Sequence, residues 1–276
     1  MAQRVVRCLG SIGPILILLV IWQIVAVHVQ RPWILPAVTD VLGQLARPLA
    51  DHYASGSLLG NTGVSLLRVL LGFTLAAFVA VPLGILMGSV RPLRRALEPI
   101  LEILRPLCPI AWLPFAIVAF KLTTLPQLFG FRYTRTVWDQ MQLGMIFVIF
   151  VGGFFPIVTN TLDGIIGVRH HYVRLAQALG AGRAQVFVHV YLPAAMPMIL
   201  TGLRQGLGLC WFVIIAAEMM TGSDSGIGYL LMYAADNSAM DLVIAAMLII
   251  GSIGALLNYA MRFLMAGLVA WKGKEL

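Results

Sequence analysis

The sequence predicts an all-α integral membrane protein with about six transmembrane helices. Hydrophobic residues make up 60% of its 276 residues, against about 45–50% in a typical soluble domain, and its mean hydropathy is +0.93. Only 11% of the residues are charged, and they fall in short clusters between long apolar runs. The net charge of +8 therefore indicates membrane topology and not nucleic-acid binding.

Six segments are long and apolar enough to cross a bilayer, which takes about 20 residues in a helix. The predicted spans are residues 12–27, 69–89, 99–120, 143–168, 194–220 and 242–269. An uncleaved first span is favoured over a signal peptide, because no small-x-small cleavage site follows it. We treat residues 1–276 as one transmembrane domain, with the first span in 1–28 and the core spans in 61–268.

The third span contains Pro106, Pro109 and Pro114. Proline removes a backbone donor and clashes with the preceding turn, so this span should be kinked. A kink persists in a membrane only where protein or a water-lined cavity satisfies the freed carbonyls.

Lys and Arg are distributed unequally between the two sides that these spans define. One side carries Arg4, Arg7, Arg91, Arg94, Arg95, Arg169, Arg174, Arg183, Arg262, Lys272 and Lys274. The other carries Arg31, Arg47, Lys121, Arg132 and Arg135. The positive-inside rule then predicts that both termini are cytoplasmic, in agreement with an even number of spans.

Small residues recur at helical spacing in Gly84-x3-Gly88 and Gly202-x3-Gly206. Such pairs let helix backbones approach closely. We expect them to pack helices within one chain, in preference to forming a seam between two chains.

The segment 169–192, between the fourth and fifth spans, has the pattern of a helix with one apolar side. Its apolar members are Tyr172, Val173, Leu175, Ala176 and Leu179, facing away from Arg169, His170, His171, Arg174 and Gln177. Gly180 and Gly182 should break this helix, residues 183–190 fit a second short helix, and Pro193 should open the next span. The segment could dock on a partner protein or lie on the anionic inner leaflet.

This segment resembles the cytoplasmic loop of permeases of binding-protein-dependent ABC importers, whose signature is Glu-Ala-Ala-x3-Gly-x9-Ile-x-Leu-Pro. With the spacing intact, the signature falls on Arg174, Leu175, Ala176, Gly180, Val190, Leu192 and Pro193. Arg174, Leu175 and Val190 replace the usual Glu, Ala and Ile. The resemblance implies a type I ABC importer permease fold, with a cytoplasmic coupling helix that docks on an ATPase and is favoured over a lipid-bound helix.

The resemblance extends from about Trp22 to Phe263. Its further motifs are Leu104-Arg105-Pro106, Ala111-Trp112-Leu113-Pro114, Phe155-Pro156-Ile157-x-x-Asn160-Thr161, Thr201-Gly202-Leu203-Arg204, Ala216-Ala217-Glu218-Met219 and Gly226-Ile227-Gly228-Tyr229. They are similar to the nitrate, sulfonate, taurine and bicarbonate branch, and the run from Arg105 to Pro114 is most similar to its nitrate and bicarbonate members. The resemblance therefore implies a small oxyanion as substrate, nitrate first, with bicarbonate, taurine or alkanesulfonates as alternatives.

Membership of this family would imply several partners in a bacterial inner membrane. They are two cytoplasmic ATP-binding subunits, a second permease copy, a periplasmic or lipid-anchored substrate-binding protein, and membrane lipid. The sequence holds no Gly-x4-Gly-Lys-[Ser/Thr] loop, so we expect ATP and magnesium to bind the partner subunits. Its three cysteines have neither disulfide nor zinc-site spacing, and we expect no metal, no cofactor and no enzymatic activity of its own.

Ionisable residues within spans are costly and often functional. The candidates for the translocation pathway are Glu102, Arg105, Arg204 and Glu218, with Trp112 as a gate or wall. Arg105 could instead pair with Glu98 or Glu102 at helical spacing. Arg204 and Glu218 should lie roughly 21 Å apart on one helix, so each needs another partner, and Glu218 favours a structural or gating role.

The external segment 121–142 looks longer than the turn usual in this branch. It carries Arg132, Tyr133, Arg135 and Trp138. It could contact the binding protein or collect anions, although a solvated loop is the simpler interpretation.

Two other protein classes remain open at this point. A carrier driven by protons or sodium would use broken helices and intramembrane carboxylates, which the third span and Glu102 fit weakly. Transport by the purified chain alone under an ion gradient would identify such a carrier. An intramembrane hydrolase would need a Ser-His or metal pair, for which the sequence offers no credible candidate.

Overall fold

The computed structural model describes residues 2–51, 56–121, 123–128, 130, 137–220 and 223–268. These ranges are predominantly helical and contain no β-strand. The helices are α1 (Ala2–Val29), α2 (Val38–Ala46), α3 (Leu58–Ser89), α4 (Arg91–Leu104), α5 (Leu113–Phe120), α6 (Leu125–Leu128), α7 (Leu143–Ile166), α8 (His170–Ala178), α9 (Arg183–Val186), α10 (Leu192–Met220), α11 (Ile227–Asp236) and α12 (Met240–Leu268). The predicted all-α class is confirmed.

The described residues support fewer membrane crossings than the six predicted. Four helical runs are long and apolar enough, namely Leu58–Ser89, Leu143–Ile166, Arg183–Met220 and Met240–Gly267. The pair Arg91–Leu104 and Pro109–Phe120 makes a fifth if it counts as one broken span. The first predicted span lies within α1 (Ala2–Val29), of which Leu16–Val29 is described as an apolar helix.

The centre of the bundle is α7, which packs against both α3 and α10. Glycines bring these backbones together: a Cβ added to Gly84 would lie 2.7 Å from Thr161 Cβ, and one added to Gly206 would lie 2.8 Å from Ile157 Cγ1. Gly88 and Gly202 meet α7 in the same way. The prediction that both glycine pairs pack helices within one chain is confirmed.

The third predicted span is broken, as its prolines predict. Its two parts meet at 94°, with a 3₁₀ turn at Pro109–Trp112 between α4 and α5. Leu93, Leu97 and Leu101 of α4 pack beside the cluster that α3 and α7 form. The bend thus lets α4 pack beside α3 while α5 packs on α7.

A buried ion pair joins α3 to α10 at the end of the bundle opposite the segment 169–192. Arg68 Nη1 lies 2.7 Å from Glu218 Oε1, and both side chains have no exposed surface. Ser65 Oγ donates to Glu218 Oε2 at 2.8 Å, and the Gly228 N–H donates to the same oxygen at 3.0 Å. This carboxylate therefore also fixes the start of α11.

The same ion pair holds two loops. Arg68 Nη2 donates to the carbonyl of Gln140 at 2.6 Å, and Nη1 donates to that of Ser225 at 3.0 Å. Gly226 has a φ of +115°, and an added Cβ would overlap the Glu218 carboxyl group, so only glycine fits there.

Within the predicted extension 121–142, Trp138 is 53% exposed, while Arg132, Tyr133 and Arg135 lie outside the described residues.

Replacing Glu218 with alanine should destabilise the protein severely, because it leaves the Arg68 guanidinium buried without its counterion. The expected cost is about 3–5 kcal/mol, measured as a loss of thermal stability of the purified protein in detergent. The matched control is Glu98→Ala, which breaks a half-exposed pair in which Arg94 Nε and Glu98 Oε2 are 3.8 Å apart, at a cost of about 1 kcal/mol or less. Equal melting temperatures for the two variants would contradict the structural role of Glu218.

Candidate functional site

The predicted break at Gly180 is present and has a defined geometry. The helix α8 ends in a motif in which the Gly180 N–H donates to the Gln177 carbonyl at 2.9 Å and the Ala181 N–H donates to the Ala176 carbonyl at 3.0 Å. This pair of hydrogen bonds requires a residue with left-handed backbone conformation directly after the helix. Gly180 meets the requirement, since its φ is +86°. The glycine is thus required by backbone conformation, since an added Cβ there would meet no atom within 4 Å.

The apolar side of α8 is divided between an inner and an outer surface. Val173 is buried with Val168 and Val186 in a small cluster, which fixes α8 against α9. Leu175 is 54% exposed and Leu179 is 80% exposed. A pair of exposed leucines on a short fixed helix is an apolar surface available to a partner.

The second helix of this segment differs from the prediction. Residues 183–220 form one helical run, in which a π turn at Phe187–Tyr191 joins α9 to α10. The Leu192 N–H donates to the Phe187 carbonyl, five residues back. A wider turn accommodates Pro193, whose ring would clash with the carbonyl four residues earlier in an α-helix. The predicted helix 183–190 is thus present and Pro193 lies in the first turn of α10, but the two helices are continuous and not separate.

The seven residues of the predicted coupling signature lie together on this segment. Arg174, Leu175, Gly180 and Pro193 are exposed, and Ala176, Val190 and Leu192 are half-buried. Because α9 continues into α10, a displacement of the segment would reach the centre of the bundle through one helix.

Four polar side chains lie together on the membrane-spanning part of the bundle, and we call them the polar stripe: Arg105, Thr159, Asn160 and Gln205. Arg105 Nη2 donates to Thr159 Oγ1 at 3.4 Å, and Asn160 Nδ2 donates to Gln205 Oε1 at 3.0 Å. Arg105 and Gln205 are exposed in the single chain. An exposed guanidinium and amide are unfavourable against lipid, so this surface should face protein or water.

A row of aromatic rings on α7 leads to the polar stripe. Trp112 contacts Phe147 with ring centroids 6.3 Å apart, and the contacts continue through Phe150 and Phe154 to Phe155. Phe155 lies one turn before Thr159 on α7. The indole N–H of Trp112 is buried and has no hydrogen-bond partner among the described residues, so it is an unused donor at the head of this row.

The other predicted pathway residues have different surroundings. Arg204 is half-buried and forms no ion pair with any described residue. Glu218 forms an ion pair with Arg68, which is the partner that the sequence analysis required. Arg105 contacts Thr159 and pairs with neither Glu98 nor Glu102, because it lies at the end of α4 where the chain turns.

Sequence reasoning missed Arg68 and three members of the polar stripe. Arg68 was overlooked because the predicted second span starts at residue 69, whereas α3 starts at Leu58. Extending the span would have placed Asn61, Ser65 and Arg68 on one helix face, since they are four and three residues apart. For Thr159, Asn160 and Gln205, the available signal was their polarity within otherwise apolar spans.

No group of three or more His, Cys, Asp or Glu side chains within the described ranges is arranged to hold a metal ion. The polar stripe is instead made of hydroxyl, amide and guanidinium groups. Of these groups, the Arg105 guanidinium and the Gln205 amide can donate hydrogen bonds to an anion that passes along the surface. Thr159 Oγ1 already donates to the Phe155 carbonyl, and Asn160 Nδ2 to the Pro156 carbonyl and Gln205 Oε1.

Comparison with known proteins identifies the family. A family described as "binding-protein-dependent transport system inner membrane component" matches residues 80–272. A protein of Methanocaldococcus jannaschii whose name describes it as an ABC transporter permease is 41% identical, over 92% of this chain and 88% of its own length. A nitrate import permease of Synechocystis is 36% identical over 91% and 85%, and a taurine transport permease of Escherichia coli is 33% identical over 96% and 90%.

A solved structure confirms the fold. The chain superimposes on an inward-facing structure of the MetNI methionine ABC transporter with a TM-score of 0.61 and 17% identity, covering 77% of this chain and 96% of that chain. The type I importer permease fold that the sequence resemblance implies is thus correct, and a gradient-driven carrier is excluded by the family. The chain belongs to the binding-protein-dependent inner-membrane permease family, in its nitrate, bicarbonate and taurine branch, and is a transport component of an ATP-driven importer and not an enzyme.

Proposed function

We propose that the chain forms the translocation path for a small oxyanion, nitrate first, delivered by a periplasmic or extracellular binding protein. Bicarbonate, taurine and alkanesulfonates are the alternative substrates. The observation that carries the proposal is the polar stripe, where the Arg105–Thr159 and Asn160–Gln205 hydrogen bonds lie on an incompletely covered surface of the bundle.

The chemistry of the polar stripe fits a small anion. The Arg105 guanidinium supplies positive potential, and the side-chain amide of Gln205 can donate hydrogen bonds. Asn160 Nδ2 donates to the Pro156 carbonyl at 2.7 Å and to Gln205 Oε1 at 3.0 Å, so Asn160 holds Gln205 in position. A single arginine with neutral donors attracts an anion without binding it so tightly that release would be slow.

Nitrate is placed first because of the sequence run from Arg105 to Pro114, which forms the bend between α4 and α5. The nitrate and taurine relatives differ little in identity to this chain, at 36% and 33%. Overall similarity therefore does not choose between an inorganic anion and a sulfonate, and the proposal depends on this local run.

A second copy of the chain would enclose the path. The polar stripe is open on one side in the single chain, and a second copy facing it would exclude lipid and leave a narrow polar passage. Both termini and the segment 169–192 are cytoplasmic in this arrangement, because most arginines lie on that side of the spans.

The segment 169–192 acts as the coupling loop, and we use that name for it below. Its exposed Leu175 and Leu179 enter a groove on a cytoplasmic ATP-binding subunit, and ATP and magnesium bind that subunit. Closure of two such subunits moves the coupling loop, and the continuous helix from Arg183 to Met220 carries the movement to the polar stripe. Arg174 gives this contact a positive charge where relatives usually have an acidic residue.

Substrate-stimulated ATP hydrolysis by the reconstituted complex tests the substrate. The complex, with its binding protein in liposomes, should hydrolyse ATP faster with nitrate than with bicarbonate, taurine or an alkanesulfonate. Arg105→Gln should lower nitrate uptake about tenfold or more, since a hydrogen bond between charged groups is worth about 1.5–3 kcal/mol.

The matched control is Arg95→Gln, which removes an exposed arginine from the same helix α4, away from the polar stripe. It should keep nitrate uptake near the parent level. Stimulation by a sulfonate and not by nitrate would overturn the choice of substrate. Equal uptake by the Arg105 and Arg95 variants would remove the polar stripe from the path.

Replacing Gly180 with valine should lower transport while the chain still inserts in the membrane. A β-branched residue with a positive φ is strained by about 1–2 kcal/mol, so the end of α8 should shift and its leucines should lose their position. Uptake and ATP hydrolysis by the reconstituted complex are the measurements.

Gly182→Val is the control for Gly180→Val. Gly182 has a φ of −68°, which any residue adopts, and an added Cβ there makes only an ordinary contact with Gln185 Oε1 at 3.7 Å. Unchanged transport in Gly180→Val, or equal loss in both variants, would count against the coupling role of the Gly180 turn.

A further inference from the structure

A cavity of about 610 Å³ lies between the bundle and the coupling loop. One wall is formed by the ends of α3 and α7, at Gly88, Ser89, Ile165 and Ile166. The opposite wall is the inner side of α8 and α9, and the start of α4 completes the lining. The cavity is distinct from the polar stripe and from the outer leucines of α8.

The charged lining of this cavity is basic. Arg91 and Arg94 come from α4, and Arg183 comes from α9, with His170 beside them; among the described residues no Asp or Glu lines it. The side chains of Arg91 and Arg183 form no ion pair with a described residue, and Arg94 has only the long contact to Glu98 at 3.8 Å. Two helical elements that are far apart in sequence thus direct uncompensated positive charge towards one space.

The remaining lining of the cavity is largely apolar. Ile165, Val168, Val173, Val186 and Phe187 line it, and Ile166 at its edge is 45% exposed. A free inorganic anion would be attracted by the arginines but would leave this surface unused. A ligand with a phosphate group and an acyl chain would cover both kinds of surface.

We propose that this cavity binds the headgroup of an anionic phospholipid from the cytoplasmic leaflet. The proposal rests on the orientation given under the proposed function, which places the cavity at that leaflet. The bound lipid contacts the ends of α3 and α7 on one side and α8 and α9 on the other, so it sets the position of the coupling loop relative to the bundle. Transport by the complex thereby becomes dependent on anionic lipid.

Lipid binding to the purified complex tests the proposal directly. Dioctanoyl phosphatidylglycerol and dioctanoyl phosphatidylcholine are titrated onto the detergent-solubilised complex of permease, ATP-binding subunits and binding protein, and bound lipid is counted by native mass spectrometry. Phosphatidylglycerol should bind more tightly than phosphatidylcholine. Arg91→Gln and Arg183→Gln should each weaken its binding about fivefold, the value expected for one arginine near an anionic headgroup.

Two further variants separate a lipid site from a folding defect. Arg95→Gln, an exposed arginine on α4 outside the cavity, should leave phosphatidylglycerol binding unchanged. The double variant Arg91→Lys with Arg183→Lys keeps both charges and should retain most of the binding. Loss of binding in the lysine variant and the Arg95 variant alike would overturn the proposal.

Inorganic phosphate provides the decisive competitor. If phosphate alone displaces phosphatidylglycerol at concentrations similar to the lipid, the cavity is a free-anion site and the proposal is wrong. Equal affinity for the two lipids would also overturn it. Because binding is measured without transport, failure of nitrate uptake would refute only the proposed substrate.

Discussion

The close approach of α7 and α10 is the contact on which the rest of the structure depends. An added Cβ on Gly202 would lie 2.8 Å from Asn160 Cβ, and one on Gly206 would lie 3.1 Å from the Gly153 carbonyl oxygen. The hydrophobic effect does not favour association of two helices within lipid, because lipid tails are as apolar as the helix surfaces. Tight van der Waals packing between the helices stabilises their association instead. The Asn160–Gln205 hydrogen bond crosses this same contact, so the two backbones bring half of the polar stripe together.

The same contact links the two ends of the molecule. Towards the coupling loop, α10 is continuous with the π turn and α9, so the helix that packs on α7 also holds Val186 against Val173. At the other end α10 carries Glu218, whose ion pair with Arg68 ties it to α3 and to the start of α11. In the proposed mechanism, a movement of the coupling loop would be transmitted to a helix that the Arg68–Glu218 pair holds at its far end.

Much of this architecture follows from the sequence, and the rest depends on distant contacts. Prolines at 106, 109 and 114 predict the broken span, and Gly180 predicts the break after α8, because both act on the local backbone. The Arg68–Glu218 pair joins residues that are 150 positions apart in the sequence. A local sequence pattern cannot indicate which residues pair over that distance. The π turn was missed because Pro193 is compatible both with the start of a new helix and with a widened turn inside a continuous one.

Binding-protein-dependent uptake in two glycine variants of α10 tests the central contact most directly. Gly206→Ala should lower uptake strongly, because its Cβ would lie 2.8 Å from Ile157 Cγ1, whereas a Cβ on Gly208 meets no atom within 4 Å. Gly208→Ala should therefore transport at the parent level, and should gain slightly in helix propensity. Parent-level uptake in Gly206→Ala would contradict the account, since the polar stripe and the coupling loop would then not depend on the close packing of α7 and α10.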